Sequence, residues 1–328
     1  ATLFLGQGPI QRVRLTRPIP DVSLPCPVAR LSSRPQTVAD LRQLLVTHGW
    51  VSIHGGADTG KSQLARLVAV AHGRCRGWVR FHHRQSDRDA VVALDAALLV
   101  LCGWDRPPRQ SGWYREAAIA LGSESILVFD DMPQISSDGQ FAEHLLQLGQ
   151  AASAADLRVV STSRFEFPYR LCHELGDALL CTRLIPPFLE QEALELFQQY
   201  GAPAAVIGSR SIALLNLLAA GHPLLLAAIA EFLSSRGWHY SDQEIGALLH
   251  GAHQVRVMPD VIERLVRTLN NPPRELLYRL TLPIGSFEQA EVAILASVTP
   301  AIDRPLERFH TLLGPWVQRD TDTSFLVS

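Results

Sequence analysis

The chain of 328 residues is long enough for two or three structural units with a sizeable core, and its 47% hydrophobic and 19% charged residues describe an ordinary soluble globular protein. A formal charge of −2 gives no global reason to expect nucleic acid or an anionic membrane as partner. Five scattered cysteines (Cys26, Cys75, Cys102, Cys172, Cys181) form no CxxC pair and fit reduced thiols in a cytoplasmic protein better than a disulfide framework.

Residues 1–27 carry Pro9, Pro18, Pro20, Pro25 and Pro27 with alternating Val13 and Leu15, and read as an extended lead-in or linker. No basic region precedes an apolar run there, so no signal peptide is expected. The missing initiator Met, and the stop at Phe325-Leu-Val-Ser328 soon after a turn, read as the ends of a piece of a longer protein. Val38, Leu41, Leu44 and Leu45 space a helix over 37–48. A short apolar strand at 50–53, a glycine-rich turn and a helix through Leu64, Leu67 and Val68 follow. Further strands are predicted near 78–81, at 125–129 and at 157–161, with helices over 87–101 and 140–152 between them. Strands that alternate with helices, several without polar alternation, predict an α/β domain over 28–185 with a parallel sheet buried on both faces.

After about Leu184 the pattern turns helical, with segments at 190–200, 209–219, 223–234 and 241–249 forming a helical domain over 186–252. The apolar stretch 212–233 is interrupted by Asn216 and by Gly221-His222-Pro223, which predicts a buried helical pair and not a membrane span. Residues 253–328 are again helix-rich and end in Trp316-Val-Gln-Arg-Asp-Thr-Asp-Thr-Ser-Phe-Leu-Val, a hairpin pattern with a polar tip. Helices followed by a terminal hairpin predict a winged-helix domain.

Gly55-Gly56-Ala57-Asp58-Thr59-Gly60-Lys61-Ser62 matches GxxxxGK[ST] completely, in the strand–turn–helix context the motif requires. The glycines let the backbone fold back so that its N–H groups face phosphates, and the helix N-terminus adds its positive dipole end. Lys61 is expected to reach the β- and γ-phosphates and Ser62 to ligate Mg²⁺, with Gln63 beside them. Of the 30 basic residues Lys61 is the one lysine. A compact ammonium retained at one position marks a site where a planar guanidinium does not serve. The apolar run before Asp130-Asp131 is a buried strand that delivers a carboxylate beside the phosphate loop. Asp130 is the expected metal holder, and Asp131 the residue that orients or deprotonates an attacking water. Ser161-Thr-Ser-Arg164 places an arginine at a strand end, where it could sense the γ-phosphate. Pro223 could press on the base.

These motifs in this order resemble the STAND class of signalling ATPases, which includes NB-ARC and NACHT proteins, from about Val28 to Ser328. Ser32-Ser-Arg34-Pro-Gln-Thr looks like the class's Gly-Arg-Glu opening motif, with Ser33 in place of Gly and Pro35 in place of Glu. Leu184-Ile-Pro-Pro-Phe-Leu-Glu-Gln-Glu-Ala-Leu-Glu-Leu-Phe197 is similar to the segment that opens the helical subdomain, and Gly221-His-Pro-Leu-Leu225 to the GxP motif. No Met-His-Asp occurs at the winged-helix end. The resemblance implies that Arg34 and Pro223 join the phosphate loop in binding ADP or ATP with Mg²⁺. It also implies slow hydrolysis, self-association on activation, an effector domain before residue 1 and a ligand-sensing region after Ser328, serving immunity or regulatory signalling. ATP over GTP rests on the resemblance, since no NKxD signature occurs.

The competing reading is a DNA-associated ATPase of the initiator, loader or transcription-regulator type, with DNA on the winged helix. His82-His83, consecutive on a strand, point to opposite faces and do not chelate one metal together. Arg74, Arg76, Arg80, Arg84 and Arg88 read as a solvated face.

Overall fold

The computed structural model describes residues 22–27, 30, 32–81, 85–106, 112–207, 210–250, 258–283, 286–320 and 323–327. His82, His83 and Arg84 lie outside them, as do most of the lead-in and Ser328. The first half runs α1 (Pro35–His48), β1 (Trp50–His54), α2 (Lys61–His72), β2 (Cys75–Arg80), α3 (Asp87–Cys102), α4 (Trp113–Leu121), β3 (Ile126–Met132), α5 (Gln140–Ala154), β4 (Arg158–Ser163), α6 (Tyr169–Leu175) and β5 (Leu180–Leu184). The strands form one parallel sheet in the order β2-β3-β4-β1-β5.

Position in that order explains what each strand looks like in sequence. β1, β3 and β4 are interior and almost wholly buried, so β3 reads as a continuous apolar run and β1 and β4 carry Trp50-Val51 and Val159-Val160 without polar alternation. β5 is an edge, with Leu184 68% exposed, and its Leu-Cys-Thr-Arg-Leu pattern carries no such signal. That is why β5 went unpredicted; the helices α4 and α6 were not expected either, while the other elements of this half lie within a few residues of expectation. One face of the sheet packs Trp50, Phe81, Phe129 and Leu127 against α3, α4, α5 and α6; the other packs Val51, Ile53 and Val128 against α1 and α2.

The second half is α7 (Glu190–Gln199), α8 (Ala204–Ile207), α9 (Ser211–Leu218), α10 (Pro223–Ser235), α11 (Asp242–Leu249), α12 (Met258–Arg267), α13 (Asn271–Leu280), β6 (Phe287–Glu288), α14 (Gln289–Ser297), α15 (Pro305–Leu312), β7 (Val317–Arg319) and β8 (Ser324–Val327). The last three strands form an antiparallel sheet, β6-β8-β7. The predicted hairpin is there, joined by a third short strand, and the succession α13-β6-α14-α15-β7-β8 has the winged-helix order. Arg279 binds this unit internally, donating to the carbonyls of Leu295, Val298 and Pro300. Among the described residues no helix is long and apolar enough to cross a membrane, and α9 and α10 are core helices.

One continuous core runs through the whole second half. It joins Phe197 and Leu225 of the helical block to Leu276, Phe309 and Phe325 of the terminal block. Phe309 sits edge-on to Phe325 at 4.8 Å and to Phe287 at 6.1 Å. Because the core is shared, Phe197→Ala and Phe309→Ala are expected to lower the same unfolding transition. Each truncation should cost about 3–5 kcal/mol. Differential scanning calorimetry reads the result: two separately shifted transitions would mean that the blocks fold apart.

Candidate functional site

The loop 55–60 connects β1 to α2, and Gly60, at φ 83°, turns the chain into the helix where a side chain would be strained. The amides that open α2, those of Lys61, Ser62 and Gln63, therefore have no carbonyl partner within the helix and are available to an anion. Lys61 is only 8% exposed; its Nζ folds back over the loop to donate to the Gly56 carbonyl and stands 3.5 Å from Thr59 Oγ1. Burial holds its ammonium below the usual lysine range. Asp131, Asp58 and Asp130 oppose that shift and Arg164 adds to it. An anionic phosphate would replace the lost solvation, so the strained state of this cation favours one.

Asp130 ends the apolar part of β3 and is 4% exposed. Two hydroxyls donate to its Oδ1: Ser62 Oγ from α2 at 2.7 Å and Thr162 Oγ1 from β4 at 2.6 Å. Burial raises its carboxyl above the usual aspartate range, opposed by those two hydrogen bonds and by the nearby Arg80. A serine hydroxyl and a carboxylate meeting beside a phosphate loop are hard oxygen donors that fit a Mg²⁺ ion. Ser62 and Asp130 are the residues that would hold it.

Asp131 sits in a bulge where the β3–β4 register shifts, at φ 51°. That left-handed conformation costs a non-glycine residue of order 1–3 kcal/mol and is kept only where neighbours impose it. Here the Asp131 N–H donates to Thr162 Oγ1 at 2.9 Å, so one threonine fixes both acids. The bulge turns Asp131 out of the strand into the cleft, 34% exposed, with its Oδ1 3.9 Å from Arg164 Nε. Thr162 and His222 were not singled out from the sequence. Thr162 stood inside the Ser161-Thr-Ser-Arg164 segment, and His222 inside Gly221-His-Pro223.

Gly221, at φ 64°, lies so close to the linker between sheet and helices that a Cβ would fall 2.6 Å from Pro187 Cβ and 2.9 Å from Phe188 N. This contact swings Pro223 against the phosphate loop, 3.5 Å from where a Cβ on Gly60 would lie. His222 reaches the Ala57 backbone, and burial keeps its imidazole below its usual range. Arg34 lines the same cleft, where its Nε pairs with Glu192 at 3.2 Å and its Nη2 donates to Pro186 O at 2.9 Å, with the guanidinium over the Phe188 ring. It clamps the linker to α1, and its Nη1 is buried without a partner among the described residues. Thr37 Oγ1 donates to the same Glu192 at 3.0 Å. Gln63 also lines the cleft, with its Oε1 buried and unpartnered among the described residues.

Arg34, Lys61, Ser62, Gln63, Asp130, Asp131 and Pro223 line one cleft of ≈ 1800 Å³. Its floor is the phosphate loop with Asp130, Asp131, Thr162 and Arg164. Its walls are Phe188, Tyr200 and Pro223 from the helical block and Gln318, Arg319 and Asp320 from the terminal hairpin. Arg80 departs from the solvated-face expectation and pairs with Asp320, whereas Arg74 pairs with Glu124 at the surface. Among the described residues no cluster of His, Cys, Asp and Glu is arranged to hold a metal by itself, so Mg²⁺ here would be shared with phosphate oxygens.

No family model matches the chain, and no curated protein matches it. Solved structures do. A Walker-type ATPase of Pyrococcus abyssi aligns with 92% of this chain and 95% of its own at 15% identity and a TM-score of 0.44. The Aeropyrum pernix ORC1 protein, in complex with DNA, aligns over 93% and 87% at 17% identity and a TM-score of 0.40. Domain III of the Thermotoga maritima replication initiation protein DnaA aligns over 66% and 88% at 15% identity and a TM-score of 0.37. The chain's own strand order, phosphate loop and strand-end acid establish the P-loop fold.

Because its raised carboxyl takes up a proton more readily folded than unfolded, ionising Asp130 removes stability as pH rises from the ordinary aspartate value to the raised one. The loss is complete only once the pH exceeds the raised value. Asp130→Asn, which cannot ionise, is therefore expected to remove this loss and to raise the melting temperature of the nucleotide-free chain most at the alkaline end of a pH series, by a few °C. The same variant should lose the dependence of nucleotide affinity on Mg²⁺. Thermal melts with and without nucleotide and Mg²⁺ check both; a lower nucleotide-free melting temperature would contradict the first.

Proposed function

We propose that this chain is a nucleotide-dependent conformational switch that binds ADP or ATP with Mg²⁺ and hydrolyses ATP slowly. The observation that carries the reading is the shared cleft, floored by the phosphate loop and walled by the helical block and the terminal hairpin. A bound nucleotide would touch all three, so the presence or loss of its γ-phosphate would bear on how they sit. In this reading residues 55–63 cradle the phosphates, Lys61 grips the β- and γ-phosphates, and Ser62 with Asp130 holds Mg²⁺. Asp131, in hydrogen-bonding reach of the cleft, orients the attacking water, and Arg164 responds to the γ-phosphate. Pro223 borders the nucleotide from the helical side, and Arg34 acts through the linker it clamps. The sheet unit at 28–185 and the joined blocks at 186–252 and 253–328 would be the moving parts, and opening would permit self-association in the cytoplasm. The ordered motifs support a STAND-class signalling role, with effector and sensor regions in the full-length protein.

A second reading, an initiator- or loader-type ATPase, is favoured by the winged-helix order of the terminal block. The charges of α15, the helix that a winged unit would lay in a DNA groove, speak against it. Arg304 stands 3.6 Å from Glu307 and Arg308 3.7 Å from Asp303. Arginines neutralised in this way offer a phosphate backbone little net charge.

Nucleotide extracted from the purified protein and identified by chromatography is expected to be adenine nucleotide, absent from Lys61→Ala. No nucleotide in either would sink the switch reading. Asp131→Ala should lower turnover by about 10²-fold or more while leaving nucleotide affinity within a few fold. A plot of log affinity for duplex DNA against log salt is expected to be nearly flat, which would count against the initiator reading; a slope of several units would favour it.

A further inference from the structure

Arg80 is the last residue of β2, and its partner across the ladder is Asp130. Partnered residues of adjacent strands share a face, so the guanidinium stands beside the metal-holding acid. The next residue tightens the join, with Phe81 N–H donating to Asp130 O at 2.8 Å. From the far end of the chain, 240 residues away, Asp320 reaches the same spot and its Oδ1 accepts from Arg80 Nη1. Asp320 follows β7 in the terminal hairpin and is 7% exposed, while the Arg80 side chain is 33% exposed. The hairpin holds the acid firmly: Asp320 N–H donates to Ser324 O at 2.8 Å, and Asp320 O accepts from Cys26 N–H at 3.5 Å. Among the described residues this is the one ion pair that joins the parallel sheet to the terminal hairpin. Both partners line the nucleotide cleft.

We propose that Arg80 and Asp320 form a latch that docks the terminal hairpin over the metal end of the cleft and slows nucleotide release. The inference rests on the nucleotide-binding reading above and adds to it the contact that holds the closed form. A buried carboxylate with one cationic partner is strongly destabilised when that partner goes, which makes the docked position all-or-none. Opening starts at the exposed side of Arg80, where water can replace the carboxylate. Once the hairpin leaves, Asp320 is hydrated and the Arg80 charge acts on Asp130 and the bound phosphates alone.

The test is the rate at which a fluorescent N-methylanthraniloyl-ADP leaves the Mg²⁺-loaded chain on chasing with unlabelled ADP. Asp320→Asn is expected to speed release by about 10-fold. Arg80→Gln should do at least as much, and the double variant no more than the faster single one, since both remove the same contact. Arg80→Lys, which keeps the charge, should stay within about threefold of wild type. Hydrogen exchange of strands Val317–Arg319 and Ser324–Val327 should rise in Asp320→Asn with an unchanged melting temperature for the sheet unit, which separates unlatching from misfolding. Unchanged release in Asp320→Asn, or single effects that multiply in the double variant, overturns the latch alone. Failure of the wild-type chain to bind the labelled nucleotide overturns the nucleotide reading and the latch with it.

Discussion

A single buried carboxylate organises the centre of this molecule. Asp130 lies at the end of an interior strand, where an unpaired charge would be costly, and it is kept there by hydroxyls from two other elements. Ser62 comes from the first turn of α2 and therefore fixes where the phosphate loop ends. Thr162 comes from the neighbouring strand and also receives the Asp131 amide. The loop, the two acids and the arginine-bearing strand end are thus positioned by one set of hydrogen bonds, and the strained backbone at Asp131 is maintained by the same set.

Around that centre the chain is built in two packed bodies. The sheet carries its own cores on both faces, and the helices and winged unit share a third. The contacts between the bodies include the linker at 186–188 held by Arg34 and Glu192, the close approach of Gly221 to that linker, and the Arg80–Asp320 pair. Contacts of this kind, polar or tightly fitted, suit an arrangement with discrete open and closed forms. The segment before α1 crosses the same junction. Pro25 O accepts from Arg66 Nε, and Arg30 pairs with Glu231 while lying over the Tyr200 ring.

Much of this was legible in the residues. The GxxxxGK[ST] loop, the sole lysine, the apolar run of β3, the strand-end Asp130 and the terminal hairpin all follow from local rules. Backbone geometry at glycine, burial on both sheet faces and turn chemistry act within a few residues of each other. The edge strand β5 escaped because a half-exposed strand need not be apolar. Its place in the sheet is set by pairing with β1, more than a hundred positions earlier in the chain.

The sequence by itself determined which chemical groups meet at the site, a phosphate-loop lysine and serine and a pair of strand-end acids, and that a parallel sheet presents them at its strand ends. Tertiary structure alone decided the partners. Arg34, at the cleft, is bound to Glu192 and the linker; Arg80 read as one of several surface arginines and meets Asp320 at the cleft. Thr162 acquired its role because two strands bring it beside both acids. The physical reason is that an arginine or threonine carries no pattern that names its partner, and electrostatic pairing is settled by distance in the folded chain.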